Sequence, residues 1–187
     1  MSSIIDDVKS AITTVISGAG DIVSATQDVA KTNVVKAVQG VGGAASSGIN
    51  AVSEVVSGGI EALSSAGASL TEGVTGLVRG AIDGAKDVGV GATEAASEAA
   101  SSAVKETSRV GGDVGVSAIS AVEGAIAAAG DLGEDSGALA KGAVMGTLRA
   151  ADEIGSEAGS IVRKALLSAA ALPHDVIDAL LTGDTNS

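Results

Sequence analysis

The sequence lacks cysteine and every aromatic residue: there is no Cys, Phe, Trp or Tyr among its 187 residues. Without cysteine the chain has no disulfide framework and no thiolate metal site. Without aromatic rings it has no side chain that stacks on nucleic-acid bases. Asp and Glu total 23 against 11 Lys and Arg, and this excess of negative charge opposes binding to phosphate backbones. We therefore expect no nucleic-acid partner.

Sequence signals for export or membrane insertion are scarce as well. Residues 1–7 are acidic, whereas the start of a secretion signal is basic. No long run rich in Leu, Ile or Phe predicts a transmembrane helix, so we expect no transmembrane span. The expected location is the cytoplasm, either free or peripheral to a membrane or granule.

Catalytic chemistry has few candidate residues. His174 is the one histidine, and a Ser–His–Asp arrangement or a histidine metal site needs further members that the sequence pattern does not bring to it. The glycine clusters at 40–43 and 89–91 lack the Gly-Lys-Ser/Thr ending of a phosphate-binding loop. We predict a protein that is not an enzyme and that has no cofactor and no metal.

What the sequence contains in quantity is Gly, Ala, Ser and Val, with 27 glycines and a hydrophobic fraction of 45%. These residues are arranged in a repeat. Residues 77–89, 121–133 and 143–155 are similar, and their starts are spaced by multiples of 22. Eight 22-residue copies, the first starting at residue 11, cover nearly the whole chain, and we number the positions in each copy from 1 to 22. The clearest copies begin with Val-x-Gly-Ala-Ile at positions 2 to 6.

The charged residues give the repeat a helical interpretation. None of the 28 charged side chains between residues 11 and 172 falls at positions 1, 2, 5, 6, 9, 12, 13, 16, 17 or 20. At about 100° per residue these positions form one face of a helix. A period of 22 is two periods of eleven, each close to three helical turns. The pattern predicts an all-α protein built from long amphipathic helices, either one continuous helix in a coiled-coil assembly or a helical bundle broken at glycine.

The glycines leave two interpretations open. If glycine clusters bend the chain, we expect helices near 3–39, 46–87, 92–109 and 114–171. Alternatively, glycine at positions 4, 8 and 13 lets two helices approach closely. The expected organisation is a lead-in (1–10), the repeats (11–172), and a short C-terminal helix and tail (173–187), because Pro173 interrupts the last copy.

The apolar face is the predicted interaction face, because a long exposed apolar stripe has to be covered. Other copies of the chain, other segments of the same chain, or a lipid or other hydrophobic surface are the candidate coverings. The predicted face consists of Ile12, Val15, Ile16, Val56, Ile60, Val78, Ile82, Val122, Ile126, Val144, Leu148 and Ile154.

The 11- and 22-residue period, as in units 121–133 and 143–155, resembles that of exchangeable apolipoproteins, phasins and other lipid-droplet or granule coat proteins, synuclein-type proteins and group 3 late-embryogenesis-abundant proteins. The resemblance covers nearly the whole chain and is one of period. It implies reversible folding on lipid, or protective folding on drying. Those families carry many lysines on the polar face and little glycine, whereas acidic residues outnumber basic ones here.

Four functions are consistent with the sequence. The first is a self-assembling structural protein, a homo-oligomer that packs through its small-residue face into a bundle, tube or filament. The second is a coat on a lipid or granule surface, and the third is a stress protectant that is disordered when dilute. The fourth is an intramolecular bundle that serves as a subunit of a larger assembly.

Overall fold

The computed structural model describes residues 3–18, 20–40, 42, 45–169, 172–173 and 177. Within these residues the chain forms eight helices and no strand, and the predicted all-α class is confirmed. The helices are α1 (Ile4–Ile16), α2 (Ile22–Gly40), α3 (Ala45–Ser65), α4 (Leu70–Asp87), α5 (Ala92–Arg109), α6 (Val114–Leu132), α7 (Ser136–Ile154) and α8 (Ser156–Ser168). Apart from Pro173 and Ile177, the predicted C-terminal helix and tail lie outside the described residues.

One repeat corresponds to one helix and one turn. Glycines at 22-residue spacing follow five of the helices with positive φ: Gly67, Gly89, Gly111, Gly133 and Gly155. Glycine reaches this conformation without the steric penalty that a Cβ brings. After four of these turns the amide of the next residue donates to a carbonyl five residues back, as Val90 N does to Ala85 O at 2.9 Å.

After four of these glycines the N-cap of the next helix lies two residues on, again at a 22-residue period. Its N-cap residue is Ser69 before α4, Gly91 before α5, Asp113 before α6 and Asp135 before α7. The side chain of Asp113 accepts hydrogen bonds from two backbone amides, Gly115 N at 2.9 Å and Val116 N at 3.1 Å. Such caps satisfy amides that have no partner inside the helix. The turn is therefore encoded by a glycine and a cap residue at fixed positions of the repeat.

Three of the four predicted helix bounds are wrong, because single glycines end helices as well as glycine clusters. The predicted helix 3–39 is divided into α1 and α2, 46–87 into α3 and α4, and 114–171 into α6, α7 and α8. Segment 92–109 is a helix with the predicted bounds. Glycine at position 13, expected to bring helices together, instead ends them.

The helices form two layers. Among the described residues, each helix contacts the helix before it, the helix after it, and the helices two places away along the chain. The odd-numbered helices therefore lie side by side in one layer, and the even-numbered helices lie side by side in the other. Consecutive helices face each other across the two layers, as in stacked αα-hairpins.

The core between the layers is made of Ala, Val, Ile and Leu. Alanine makes up a large share of it on α5, α6 and α7, where Ala95, Ala99, Ala125 and Ala143 are fully buried. Because alanine side chains are short, helices have to approach closely before such a core is filled. α6 is also long and apolar enough to cross a membrane by length and composition, and slightly more than half of it is buried against other helices.

Candidate functional site

The predicted interaction face lies mostly inside the fold. Seven of its residues are fully buried: Ile12, Val56, Ile60, Val78, Ile82, Val122 and Val144. Four more pack partly buried against the same core, namely Val15, Ile16, Ile126 and Leu148, and Ile154 at the end of α7 is 40% exposed. Helices of the same chain therefore cover most of this face. That its residues bind a partner stays a prediction.

Position 4 of the repeat sets how closely a helix packs on the previous helix of its own layer. It is glycine in α3, α4, α6 and α7, as Gly58, Gly80, Gly124 and Gly146, and each faces the backbone of the helix two places earlier. A Cβ on Gly124 would lie 2.6 Å from the Thr75 carbonyl oxygen of α4. Glycine is required here because the neighbouring main chain occupies the space of a side chain.

Glycines one turn away extend two of these contacts. On α4, a Cβ on Gly84 would lie 2.8 Å from the Lys31 carbonyl oxygen of α2. On α7, a Cβ on Gly142 would lie 2.8 Å from the Thr93 carbonyl oxygen of α5. Glycines at four-residue spacing thus form a flat strip along which two helix backbones meet.

At the N-terminal end of the array, position 4 carries larger residues. It is Thr14 in α1 and Lys36 in α2, the two helices that have no earlier helix in their layer within the part of the chain that the structure describes. In α5 it is Ser102, whose hydroxyl donates to Ser53 Oγ of α3 at 2.9 Å. In α8 it is Ser168, the last residue of the helix. The two larger residues, Thr14 and Lys36, are therefore found on helices that have no earlier neighbour to approach among the described residues.

The outer surface of α1 and α2 is a polar groove of about 520 Å³. Its lining is Asp7, Ser10, Ala11, Asp28, Val29, Thr32, Asn33 and Lys36. Repeat proteins protect the ends of their stacks with polar surfaces of this kind. The N-terminal end of the array therefore has the character of a cap.

Positions 21, 3, 6 and 10 form the face that each helix turns toward the next helix of its layer, and we call it the forward face. On α4 it consists of Thr75, Arg79, Ile82 and Lys86. Helix α6 and the turn after it cover this face: the Thr75 carbonyl meets Gly124, and Arg79 and Lys86 form ion pairs with Asp131 and Glu134. Ile82 is fully buried.

Among the described residues no helix with an assigned range follows α7 in its layer, although Ile177, a helical residue after α8, is fully buried. The forward face of α7 consists of Lys141, Met145, Leu148 and Asp152. The equivalent residues of α5 include Ser101 and Val104, both buried beside α7. On α7, by contrast, Met145 is 52% exposed and Leu148 is partly buried. The two ends of the array therefore differ, because one is polar and the other leaves apolar side chains in solvent.

The exposed large apolar side chains lie in the C-terminal half of the chain. Among the described residues, this set consists of Val116, Met145, Ile154, Ile161 and Leu167, all on α6, α7 and α8. Ile154 and Ile161 line an open groove of about 410 Å³ at the turn from α7 to α8, together with Val114. Exposed apolar side chains that share a groove, as Ile154 and Ile161 do, are typical of an interaction surface.

Seven ion pairs of the described residues join helices of the same layer, and most of these have the same direction. In five pairs the basic residue lies on the earlier helix and the acidic residue on the later helix or its turn: Lys9–Glu61, Lys31–Asp87, Arg79–Asp131, Lys86–Glu134 and Lys105–Glu153. Glu61–Arg109 and Glu98–Arg149 run the other way. The Arg79 guanidinium donates two hydrogen bonds of 2.6 Å to Asp131 and lowers the pKa of that carboxyl. Exposed pairs add little free energy, so they set register more than stability.

One carboxylate is buried between α2 and α4. Asp83 is 4% exposed; its Oδ2 accepts a hydrogen bond from Gln27 Nε2 at 3.0 Å, while its Oδ1 has no partner. Burial raises the pKa of Asp83, because a low-dielectric surrounding disfavours the charged form. Asp131 raises this pKa further, and the Gln27 hydrogen bond and the nearby Lys31 and Arg79 oppose the rise.

The described residues contain no group of three or more His, Asp or Glu side chains placed to hold a metal ion. His174 lies outside the described residues.

In comparisons with known proteins, no family model matches the chain and no curated protein is significantly similar to it. The resemblance in period to lipid-coat and stress proteins therefore stays a prediction. Sequence reasoning missed the difference between the two ends of the array. The signal was available in position 4, where Thr14 and Lys36 replace the glycine of later copies.

Proposed function

We propose that the protein is a non-enzymatic structural scaffold that self-assembles through the α6–α8 end of its helical array. The observation that carries this proposal is the location of the exposed large apolar side chains of the described residues. All five lie on the last three helices, whereas the opposite end is a polar groove. Burying such side chains against a partner is favourable by roughly 25 cal/mol for each Å² of apolar surface removed from water.

The rest of the surface supports a soluble assembly. The chain carries a net charge of −12, and a net charge far from zero opposes non-specific association. Contact is therefore favoured where apolar side chains locally outnumber carboxylates. The N-terminal groove, with Asp7, Asp28 and Lys36, is lined by charged side chains and by none of the exposed large apolar ones.

The proposal is tested by molar mass in solution, measured by sedimentation and light scattering over a wide concentration range. We expect the protein to form oligomers, and the double substitution Met145→Ser with Leu167→Ser to weaken them while the helical circular dichroism signal is unchanged. The matched control is Thr32→Lys in the N-terminal groove, which should leave the oligomers intact. A chain that remains monomeric at millimolar concentration contradicts the proposal.

The same preparation distinguishes a scaffold from a surface coat. In the described residues most of the predicted face is buried between helices, so coating a lipid surface would require the layers to open. We expect neutral and anionic phospholipid vesicles to leave helicity and oligomer mass unchanged. Retention on vesicles with loss of the oligomer would favour the coat function instead.

A further inference from the structure

We propose that a second copy of this chain packs on the forward face of α7, antiparallel to the first, to form a closed two-fold dimer. The inference rests on the proposed function and names its partner and geometry. The contact would be centred between Gly146 and Thr147, so that each copy contributes the same four residues: Lys141, Met145, Leu148 and Asp152.

The covered forward faces of the chain indicate what can cover the forward face of α7. Where the forward face is covered within the chain, on α4 and α5, the covering element is a helix of the same repeat. On α7 the described residues leave Met145 52% exposed, and a second copy can supply a helix of this repeat to cover it. The N-terminal end of that copy is less suitable, because Thr14 and Lys36 occupy the position where the later helices α3, α4, α6 and α7 have the glycine that meets the neighbouring backbone. Head-to-tail stacking would therefore lack the close backbone contact that these glycines allow.

The residues of the face are spaced symmetrically along α7. The four residues are spaced by four, three and four, a pattern that reads the same in both directions. In an antiparallel two-fold pair, Lys141 therefore meets Asp152 of the second copy, and Met145 meets Leu148 of the second copy. A two-fold interface requires a surface that is complementary to itself, and here the two ends have opposite charge around an apolar centre.

The two ends of the face carry opposite charges, on Lys141 and Asp152. Asp152 accepts two hydrogen bonds of 3.0 Å from Arg163 of its own chain, and its side chain remains 55% exposed. The Arg163 guanidinium lowers the pKa of Asp152, so this carboxylate is charged at neutral pH. A carboxylate accepts more than two hydrogen bonds, and it can therefore receive the Lys141 ammonium as well.

The test uses charge reversal in two separate chains. Lys141→Glu places two like-charged pairs in the dimer, carboxylate against carboxylate, and Asp152→Lys places ammonium against ammonium. Each variant alone should dissociate about a hundredfold more readily than the unaltered chain, because like charges brought together cost several kcal/mol. Mixing the two variants restores opposite charges at both ends, and we expect a heterodimer of nearly native affinity, measured by sedimentation equilibrium.

The control is Lys36→Glu, which makes the same charge reversal in the N-terminal groove and should leave the dimer unchanged. Circular dichroism of each variant shows whether the helices remain folded. If both α7 variants still dimerise like the unaltered chain, or if their mixture stays monomeric, the α7 geometry is overturned while self-assembly through another surface stands. If the unaltered chain is itself monomeric at high concentration, the proposed function and this inference both fail.

Discussion

Two sets of glycines recur at the 22-residue period, and they are required for opposite reasons. At position 13, Gly67, Gly89, Gly111 and Gly133 have positive φ and open space where a Cβ would stand. At position 4, Gly58, Gly80, Gly124 and Gly146 lie inside helices and have backbone where a Cβ would stand. Glycine is required at position 13 by the backbone conformation of the turn. It is required at position 4 because the backbone of a neighbouring helix lies close to it.

The difference shows how one repeat supplies both the ends of the helices and the spacing between them. Position 13 ends each helix and turns the chain into the other layer. Position 4 lets helices of one layer approach until their backbones meet, which a core of alanine and valine requires. Substituting glycines from each set measures the two contributions separately.

The largest expected effect is at Gly80. A Cβ there would overlap the Gln27 carbonyl of α2, and no flexible side chain is available to move away. We expect Gly80→Ala to reduce the free energy of unfolding by about 3 kcal/mol, measured by urea denaturation followed by circular dichroism. Ser102→Ala, at the same position of α5, should cost about 1 kcal/mol through the lost hydrogen bond to Ser53. Equal effects at the two positions would show that close packing does not distinguish α4 from α5.

A smaller effect is expected at a turn. Gly89 has φ of +86° and free space around its Cβ position. Gly89→Ala should cost about 1–2 kcal/mol, because an alanine is strained in the left-handed region. Gly89→Asn should cost less, since asparagine tolerates this conformation better. If alanine and asparagine reduce the free energy of unfolding equally in urea denaturation, backbone strain at the turn is not the cause of that reduction.

The tight α2–α4 interface also contains a polar residue, Asp83, between Gly80 and Gly84 in sequence. Burial raises the pKa of this carboxyl, so ionisation at neutral pH destabilises the fold. We expect Asp83→Asn to increase the free energy of unfolding by about 1 kcal/mol at pH 7, because a neutral amide is less costly to bury than a charge.

The gain from Asp83→Asn should depend on pH in a defined direction. The folded pKa of Asp83 lies above its ordinary value of 3.8, so its penalty is absent below that value and grows as pH rises through the folded pKa. Unfolding measured at pH 3.5 and pH 7 should therefore show the gain only at pH 7. Asp131→Asn serves as the comparison of opposite sign. The ion pair with Arg79 lowers the pKa of Asp131, so the pair stabilises the fold at pH 7 and this stabilisation is lost as pH falls through the folded pKa.

The smallest effect, and one of the other sign, is expected at Gly130. This glycine lies in α6, has no positive φ and has open space for 4 Å around the point where a Cβ would stand. Gly130→Ala should stabilise the protein by about 0.5 kcal/mol, because alanine loses less conformational entropy in a helix. A loss of stability in thermal or urea unfolding would mean that a glycine outside both sets also has a structural requirement.

The fold class and the buried face could be predicted from the sequence because both follow from periodicity. The absence of charge from ten positions of the repeat places Val78, Ile82 and Val122 on one face, and the structure buries all three. The turns are harder to predict from the sequence, because a single glycine can either end a helix, as Gly67 and Gly133 do, or pack inside one.

The candidate assembly surface could not be predicted from the periodic pattern, because it depends on which neighbours are missing. Met145 occupies position 3, where Arg79 of α4 is in an ion pair with α6. It is exposed because no later helix of its layer covers it among the described residues. The burial of the Asp83 carboxylate could not be predicted for a related reason. Position 7 belongs to the charged side of the helix, and only the packing of α2 against α4 removes this carboxylate from water.

The alternation of layers restricts how a chain of this kind can change length. Because each 22-residue unit carries the chain from one layer to the other, removing or duplicating one unit would move every later helix to the opposite layer and exchange its neighbours. A change of 44 residues would leave every later helix in its own layer. The similar segments 77–89 and 121–133, which lie in α4 and α6 of the same layer, are separated by that distance. Growth by pairs of units is therefore the route by which such an array lengthens without rebuilding its interior.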